Sequence, residues 1–420
     1  MTLNERIQFV ERCTGPTSPS FYRTLYAISE AQPLTIASED EWRALPFVTK
    51  DDMIATPYSN RVFANRASVD HIRASSGTSG KPPLFSPRTY LRDMEYRTKY
   101  HDFKKGILAY GVPAAPYWHE HFQMTLGNTP RVIVFDPQQP AASVRLARIA
   151  NVDCISTFAF HMRLIGEHMM TEKIHTQIRL IEICGEACTP ALFAYLRATF
   201  PHATIIPFYG SSEVEDSPIG VPCRPITGEE PLSLYHAKKN RFHEIIDPET
   251  GAVLPVCADA EGELVITAYP GEPSAFPLIR YRTGDVIRVV DERCPQHQTW
   301  SFTIVGRATL DFLKIPGGVL RVDEILRVVR LFQGRISERF ELHRFERETP
   351  AGPKPQVELH VDPVGVIDME KLASEVAAAL RVNPTRSYAQ GVADGLYLPL
   401  TCVILAPGQT VKKTKRLVAH

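Results

Sequence analysis

Ser75, Ser76, Gly77, Thr78, Ser79, Gly80 and Lys81 crowd four hydroxyls, two glycines and one ammonium into seven consecutive positions. Hydroxyls donate hydrogen bonds, glycine lets the backbone approach a ligand closely, and lysine brings a point charge, so the stretch suits a phosphate. It is not the common phosphate loop, which has four residues between its glycines and a Ser or Thr after the lysine. Here two residues separate Gly77 from Gly80, and Pro82 and Pro83 follow Lys81. The two prolines keep an ordinary helix interior from following at once, so the loop should not draw on a helix dipole. Taken alone, it could also be a flexible polar turn. Further chemistry-bearing residues stand in "YGSSE" (Tyr209 to Glu213), "RYRTGD" (Arg280 to Asp285), "VGR" (Val305 to Arg307) and the tail "GQTVKKTKRLVAH", which holds Lys412, Lys413, Lys415 and Arg416.

The elements that must position these residues are clearest mid-chain. "RVIVFDP", "VDCIST", "IRLIEICGEA" and "ATIIPFYG" read as buried strands, with "FHMRLIGEHMM" and "TPALFAYLRATF" as helices between them. Thr189 can cap the second helix and Pro190 can fill its first position. Strands with continuous apolar runs that alternate with helices predict a parallel sheet covered on both faces. Ligands collect beyond the carboxyl ends of such strands, which marks Gly185, Glu186 and the Tyr209–Glu213 turn as a candidate site. After this, "HEIIDPETGAVLP", "GELVITAY", "PLIRYRTGDVIRVV" and "WSFTIVGR" read as short strands of a smaller β-rich subdomain. Beyond about Asp311, helical "VDEILRVVRLF" and "DMEKLASEVAAALRV" join strands "QVELHVDP" and "LPLTCVILAP" in a small α+β domain.

The 420 residues exceed one ordinary core, and a hydrophobic fraction of 44% suffices for a soluble globular chain. Zero formal net charge gives no argument for nucleic acid or an anionic membrane surface. No apolar run reaches a membrane span, and "MTLNERIQFVERC" is charged where a secretory signal is apolar. Eight scattered cysteines are not a disulfide framework, so a cytoplasmic setting is expected.

The ordered set "SSGTSGKP", "GEA", "YGSSEV", "PLIRYRTGD" and "GR" followed by a "KIPG" turn resembles the adenylate-forming superfamily of acyl- and aryl-CoA ligases, most of all phenylacetate-CoA ligases. The resemblance covers roughly residues 70 to 420. It implies an α/β fold: a large N-terminal domain over residues 1–306, with helix-covered parallel sheets and a β-rich subdomain, and a small mobile α+β lid over residues 307–420. It implies ATP, Mg²⁺ and CoA as cofactors. Ser75 to Lys81 would wrap the outer phosphates, Gly185, Glu186 and Ala187 would flank adenine, and Tyr209 and Gly210 would lie against the nucleotide. Ser212 would approach the α-phosphate, Glu213 would hold Mg²⁺, Asp285 would take both ribose hydroxyls, and Arg307 would bind near ribose and phosphate. The residue types suit these tasks: a carboxylate is an acceptor-only group, and a hard cation wants oxygen. Taken alone, Asp285 could instead cap a turn and Glu213 could be an ordinary surface acid.

The family's tail lysine, in a Gly-Lys-x-x-Arg setting, matches Lys413, although Lys412 stands where the glycine would be. Asp311 is the corresponding hinge candidate. "PYWHEHFQMTLGN" lies where such ligases line the acid pocket, so Tyr117, Trp118, His119, Phe122 and, elsewhere, His161 are candidates to bind a flat aromatic acid; core packing is the other reading. Cys223, His236, Cys294 and His297 lie near where some relatives of these ligases carry a structural zinc. "CPQH" has ligand-like spacing, but only two ligands can be paired from the sequence, which favours cysteines that pack or sit free.

The expected reaction is ATP-dependent activation of a carboxylic acid, aromatic by the pocket residues, to an acyl-adenylate with release of pyrophosphate, then transfer to CoA. Lys413, Glu213 and Lys81 would be catalytic. A carrier-protein thiol, an amine or another nucleophile is the alternative acceptor, and a catalytically silent nucleotide-binding partner protein is the reading from another class. No nucleic-acid or membrane partner is expected, and a homodimer is left open.

Overall fold

The apolar runs read as strands do build one parallel sheet. In the computed structural model, which describes residues 1–29, 33–63, 71–74, 84–88, 106–110, 131–136, 139–185, 188–211, 213–214, 219–237, 241–268, 275–307, 312–350, 352–383, 385–405 and 417–419, five parallel strands follow the order Arg131–Phe135, Gly106–Tyr110, Cys154–Phe158, Leu180–Cys184, Thr204–Phe208. Every side chain of Leu180–Cys184 is buried, as expected of a central strand covered on both faces. Leu108, Phe135, Ile155 and Ile181 share a core with Val144, Ile165, Met169 and Leu196 from the connecting helices. The helix Pro190–Thr199 starts as its sequence dictates: the Thr189 hydroxyl accepts from Leu192 N at 3.2 Å, and Pro190 sits at the first helical position. The Gly106–Tyr110 strand was not recognised in the sequence, because five residues of mixed small and apolar type carry little period of their own.

The second sheet is antiparallel and has seven strands, with the 14-residue strand Leu278–Asp291 flanked by Glu261–Ala268 and Ser301–Arg307. The first sixty residues, for which the sequence offered no assignment, pack on this sheet. Phe9, Phe21, Tyr22, Trp42 and Met53 enter the same core as Ile266, Ile279 and Phe302. Tyr22 ties them together: its hydroxyl donates to Pro277 O at 2.8 Å and accepts from Ile279 N at 2.9 Å.

Two compact units divide the chain, one taking in Met1–Ser76 and Pro82–Ala308, the other Thr309–His420; Gly77–Lys81 lie outside the described residues. In the second unit, the antiparallel pair Ile336–Arg347 and Lys354–Pro363 is flanked by Leu417–Ala419 and Thr401–Ile404, each in parallel. Val357, Leu359 and Val361 point inward from alternate positions and meet Ile325, Val328, Leu372 and Val376 of two helices. Among the described residues, no helix is long and apolar enough to cross a membrane.

Candidate active site

The carboxyl ends of two neighbouring strands carry the first site residues. Gly185 follows Leu180–Cys184 with φ +76°, and a Cβ there would fall 2.3 Å from the Phe158 ring. Only glycine fits a backbone that both adopts the left-handed region and lies flat on an aromatic ring. Tyr209 follows Thr204–Phe208 and forms an isolated antiparallel bridge with Gly220, and Ile219 N donates to Tyr209 O at 2.7 Å. That bridge joins the parallel sheet to the antiparallel one.

Tyr209 therefore lies buried against Tyr235 and Phe302, with ring centroids 5.5 and 6.2 Å away. Its hydroxyl donates to Asp285 Oδ2 at 2.8 Å. Burial first, and then the Asp285 charge, raise the Tyr209 pKa well above its ordinary value, so the phenol remains a donor. Asp285 pairs in register with Arg307 across the Leu278–Asp291 and Ser301–Arg307 strands, and Arg307 Nε lies 3.5 Å from Asp285 Oδ1. Arg307 also donates to Thr283 O at 3.2 Å. The Asp285 carboxylate raises the pKa of the Arg307 guanidinium, with added contributions from Tyr209, Glu213 and Tyr281, so these groups share one electrostatic neighbourhood. Between the two strands' functional ends, Gly284 takes φ +75° and donates its N–H to Glu263 Oε1 at 3.1 Å. The Asp285 side chain points to Tyr209 and Arg307, not to a turn cap.

Glu213 is no surface acid: it is buried. Lys50 Nζ lies 2.8 Å from its Oε1, and the Ser211 hydroxyl donates to Oε2. Burial alone would raise its pKa, but the Lys50 charge and hydrogen bonds from Lys50 and Ser211 hold it at about 2. An ionised, buried carboxylate that already attracts a cation has the donor chemistry a hard divalent ion requires.

Lys50 escaped sequence reading, and Ser211 was marked only as part of the Tyr209–Glu213 turn. Lys50 sits 163 positions from its partner, in a segment with no recognised motif, and only the fold brings them together. The motif around Asp285 explains how. Arg280 is fully buried with φ +50°, forms an ion pair with Glu244 at 3.2 Å, and donates to Leu45 O at 2.6 Å and Arg43 O at 2.5 Å. Val48 N donates to Arg280 O at 3.1 Å, and Arg282 N donates to Val48 O at 2.9 Å. The chain just before Lys50 is thus clipped to the strand that carries Asp285.

His161 is buried between Phe135 and Phe158, with centroid distances of 5.6 and 6.3 Å, and burial lowers its pKa to about 3. It is a neutral ring at the end of a parallel-sheet strand. Gly210 directly follows Tyr209. Ser75 to Lys81, Tyr117, Trp118, His119, Phe122, Glu186, Ala187, Ser212, Asp311, Lys412, Lys413 and Lys415 lie outside the described residues.

A second constellation lies on the antiparallel sheet's other side strands and loops. Cys223 Sγ and Cys294 Sγ are 3.5 Å apart, and each lies 3.7 Å from His297 Nδ1. A tetrahedral zinc with bonds of about 2.3 Å to sulfur and about 2.0–2.1 Å to nitrogen places its ligands at nearly these separations, whereas a disulfide would need about 2.05 Å. The His236 ring stacks on His297 with centroids 3.8 Å apart. Sequence spacing paired Cys294 with His297 only; the fold adds Cys223.

No protein-family model matches the chain. Over 358 residues it is 26% identical to a phenylacetate-coenzyme A ligase of Pseudomonas putida, an alignment that covers 81% of this chain and 76% of that one. It is also 26% identical over 352 residues to a phenylacetate-coenzyme A ligase of Aromatoleum evansii, covering 80% and 73%. The chain is similar to phenylacetate-CoA ligases over about four fifths of its length. Among solved structures, the chain superposes on 2-hydroxyisobutyryl-CoA ligase, crystallised with 2-HIB-AMP and CoA in the thioesterification state, with a TM-score of 0.62 at 16% identity, covering 100% of this chain and 90% of the other. The chain therefore shares the fold of that ligase, α/β in its large part.

Proposed function

We propose that this enzyme joins a carboxylic acid to ATP and then passes the acyl group to the thiol of CoA. The observation that carries this is the Tyr209–Asp285–Arg307 cluster, with Glu213 in its electrostatic reach, at the carboxyl end of a parallel sheet. In the first step a carboxylate oxygen attacks the α-phosphorus, the α–β bridging P–O bond breaks, and pyrophosphate leaves. In the second, a thiol sulfur attacks the acyl carbon, the C–O bond to phosphate breaks, AMP leaves, and the thiol proton passes to solvent.

Asp285 accepts from the ribose hydroxyls, with the Tyr209 hydroxyl fixing one carboxylate oxygen in place. Arg307, held by Asp285 and the Thr283 carbonyl, binds near ribose and phosphate. Glu213 would hold Mg²⁺, which would neutralise phosphate charge. Gly185 to Ala187 flank the adenine, Ser75 to Lys81 wrap the outer phosphates, and Ser212 meets the α-phosphate. Lys413 would serve the first step and not the second. Catalysis here is positioning and charge neutralisation, with no protein nucleophile. Tyr117, Trp118, His119, Phe122 and His161 favour an aromatic acid.

The test is ATP–pyrophosphate exchange with substituted benzoates, arylacetates and short aliphatic acids, followed by loss of free CoA thiol. Acid-dependent exchange, fastest with an aromatic acid, and thiol consumption are expected. ATP binding without acid-dependent exchange overturns the enzymatic reading, and exchange without thiol consumption moves the acceptor to a carrier-protein thiol or an amine.

The Cys223, Cys294, His297 group supports a structural zinc. Burial, with the Cys294 thiol beside it, pushes the Cys223 thiol up to about 12, and a bound cation is what would hold both sulfurs as thiolates. Its role would be to join the Cys223 segment to the loop before Ser301, remote from the chemistry of transfer.

A further inference from the structure

Glu213 is more heavily engaged than a waiting metal ligand needs to be. Oε1 lies 2.8 Å from the Lys50 ammonium and Oε2 takes the Ser211 hydroxyl. Neither Lys50 nor Glu213 is a chance surface partner: their side chains are only 26% and 8% exposed.

The backbone that presents Lys50 is anchored on both sides. Ahead of it, Val48 is hydrogen-bonded to both Arg280 and Arg282. At it, the helix Lys50–Ala55 begins with a reciprocal cap, in which Thr49 N donates to Asp52 Oδ2 at 2.8 Å and Asp52 N donates to Thr49 Oγ1 at 3.3 Å. The ammonium is therefore delivered by a fixed Cα through a four-carbon stem, which lets the head swing while its origin stays put.

A divalent ion and an ammonium cannot share one carboxylate oxygen without strong mutual repulsion in a partly desolvated site. From this geometry, and resting on the reading of Glu213 as the metal ligand, we propose that Lys50 is a built-in competitor for the metal: it occupies Glu213 Oε1, and a divalent ion takes that oxygen only by displacing it. The arrangement makes metal entry depend on nucleotide, because phosphate oxygens bring both extra ligands for the ion and an anionic partner for the released ammonium. Lys50 acts through Glu213 and is a positioning residue.

The experiment is a MnCl₂ titration of the full-length chain without nucleotide, followed by the electron paramagnetic resonance of free Mn²⁺. The wild type, Lys50→Met, Lys50→Gln, Lys50→Arg and Glu213→Gln are compared. Removing the competing charge in Lys50→Met or Lys50→Gln should lower the Mn²⁺ midpoint roughly fivefold or more, while Lys50→Arg stays near wild type. Mn²⁺ should also raise the melting temperature of Lys50→Met more than that of the wild type, a readout independent of turnover. An unchanged or higher midpoint in both neutral variants, with Glu213→Gln losing the site, overturns the competitor alone. Equal Mn²⁺ binding by wild type and Glu213→Gln overturns Glu213 as ligand, and the competitor with it.

Discussion

Asp285→Asn separates binding from folding. In the wild type, Oδ2 accepts the Tyr209 hydroxyl at 2.8 Å and Oδ1 faces Arg307 Nε at 3.5 Å. Asparagine keeps the shape but has a single oxygen. Because Tyr209 must donate, the amide oxygen stays with it, and the NH₂ group turns toward Arg307 and the ribose, donor against donor. The ribose loses a charged acceptor, worth about 1.5–3 kcal/mol, so the Kd for ATP should rise roughly 10- to 150-fold. The fold loses little, because Arg307 is 42% exposed and such a pair contributes under about 1 kcal/mol. In a unit of this size that is a fall of no more than about 4 °C in melting temperature. Calorimetric titration with ATP at fixed salt, beside a thermal melt, gives both numbers. A Kd within about threefold of wild type would refute the ribose role, and a collapse of the melt would show that the carboxylate serves the fold instead.

Arg280→Met should cost about 3–5 kcal/mol of stability in urea unfolding, since it strands the buried Glu244 carboxylate and frees the carbonyls of Arg43 and Leu45; a loss below about 1 kcal/mol would deny it the clamp role. Stability should fall with acid below pH 6.5: His161 and His243 titrate near 3 in the fold and at 6.5 when unfolded, so in that window the unfolded chain binds the extra protons. Each histidine should contribute a slope of up to about 1.4 kcal/mol per pH unit, and His161→Gln should remove its share, as urea midpoints at pH 7.5, 6.5 and 5.5 will show. Lys413→Ala should slow acid-dependent pyrophosphate exchange by several kcal/mol of barrier while sparing transfer from supplied acyl-adenylate to CoA; equal damage to both half-reactions would contradict the lid role. Purified chain should carry one zinc per molecule by elemental analysis, and Cys223→Ser should lose it with a fall in melting temperature; a wild type free of zinc dismisses the site.

The sequence by itself determined the parallel sheet, the cap at Thr189 and Pro190, and the motif order that points to adenylate chemistry. These are local properties: an apolar run, a hydroxyl one residue before a helix and a glycine turn each act within a few positions of themselves. It also singled out Glu213 and Asp285, because each closes a short, recognisable turn. The strand Ile336–Arg347 went unassigned because a register shift after Ile336 breaks its alternation, and a period cannot be read across a shift. Only the tertiary structure decided that Glu213 is buried with Lys50, that Tyr209 hands its hydroxyl to Asp285, and that Cys223 joins Cys294 and His297. Each of those contacts closes a loop of more than seventy residues. Such loops are set by how one sheet's edge meets another and by Arg280 pinning the N-terminal segment to the strand of Asp285, and no spacing within the chain records that.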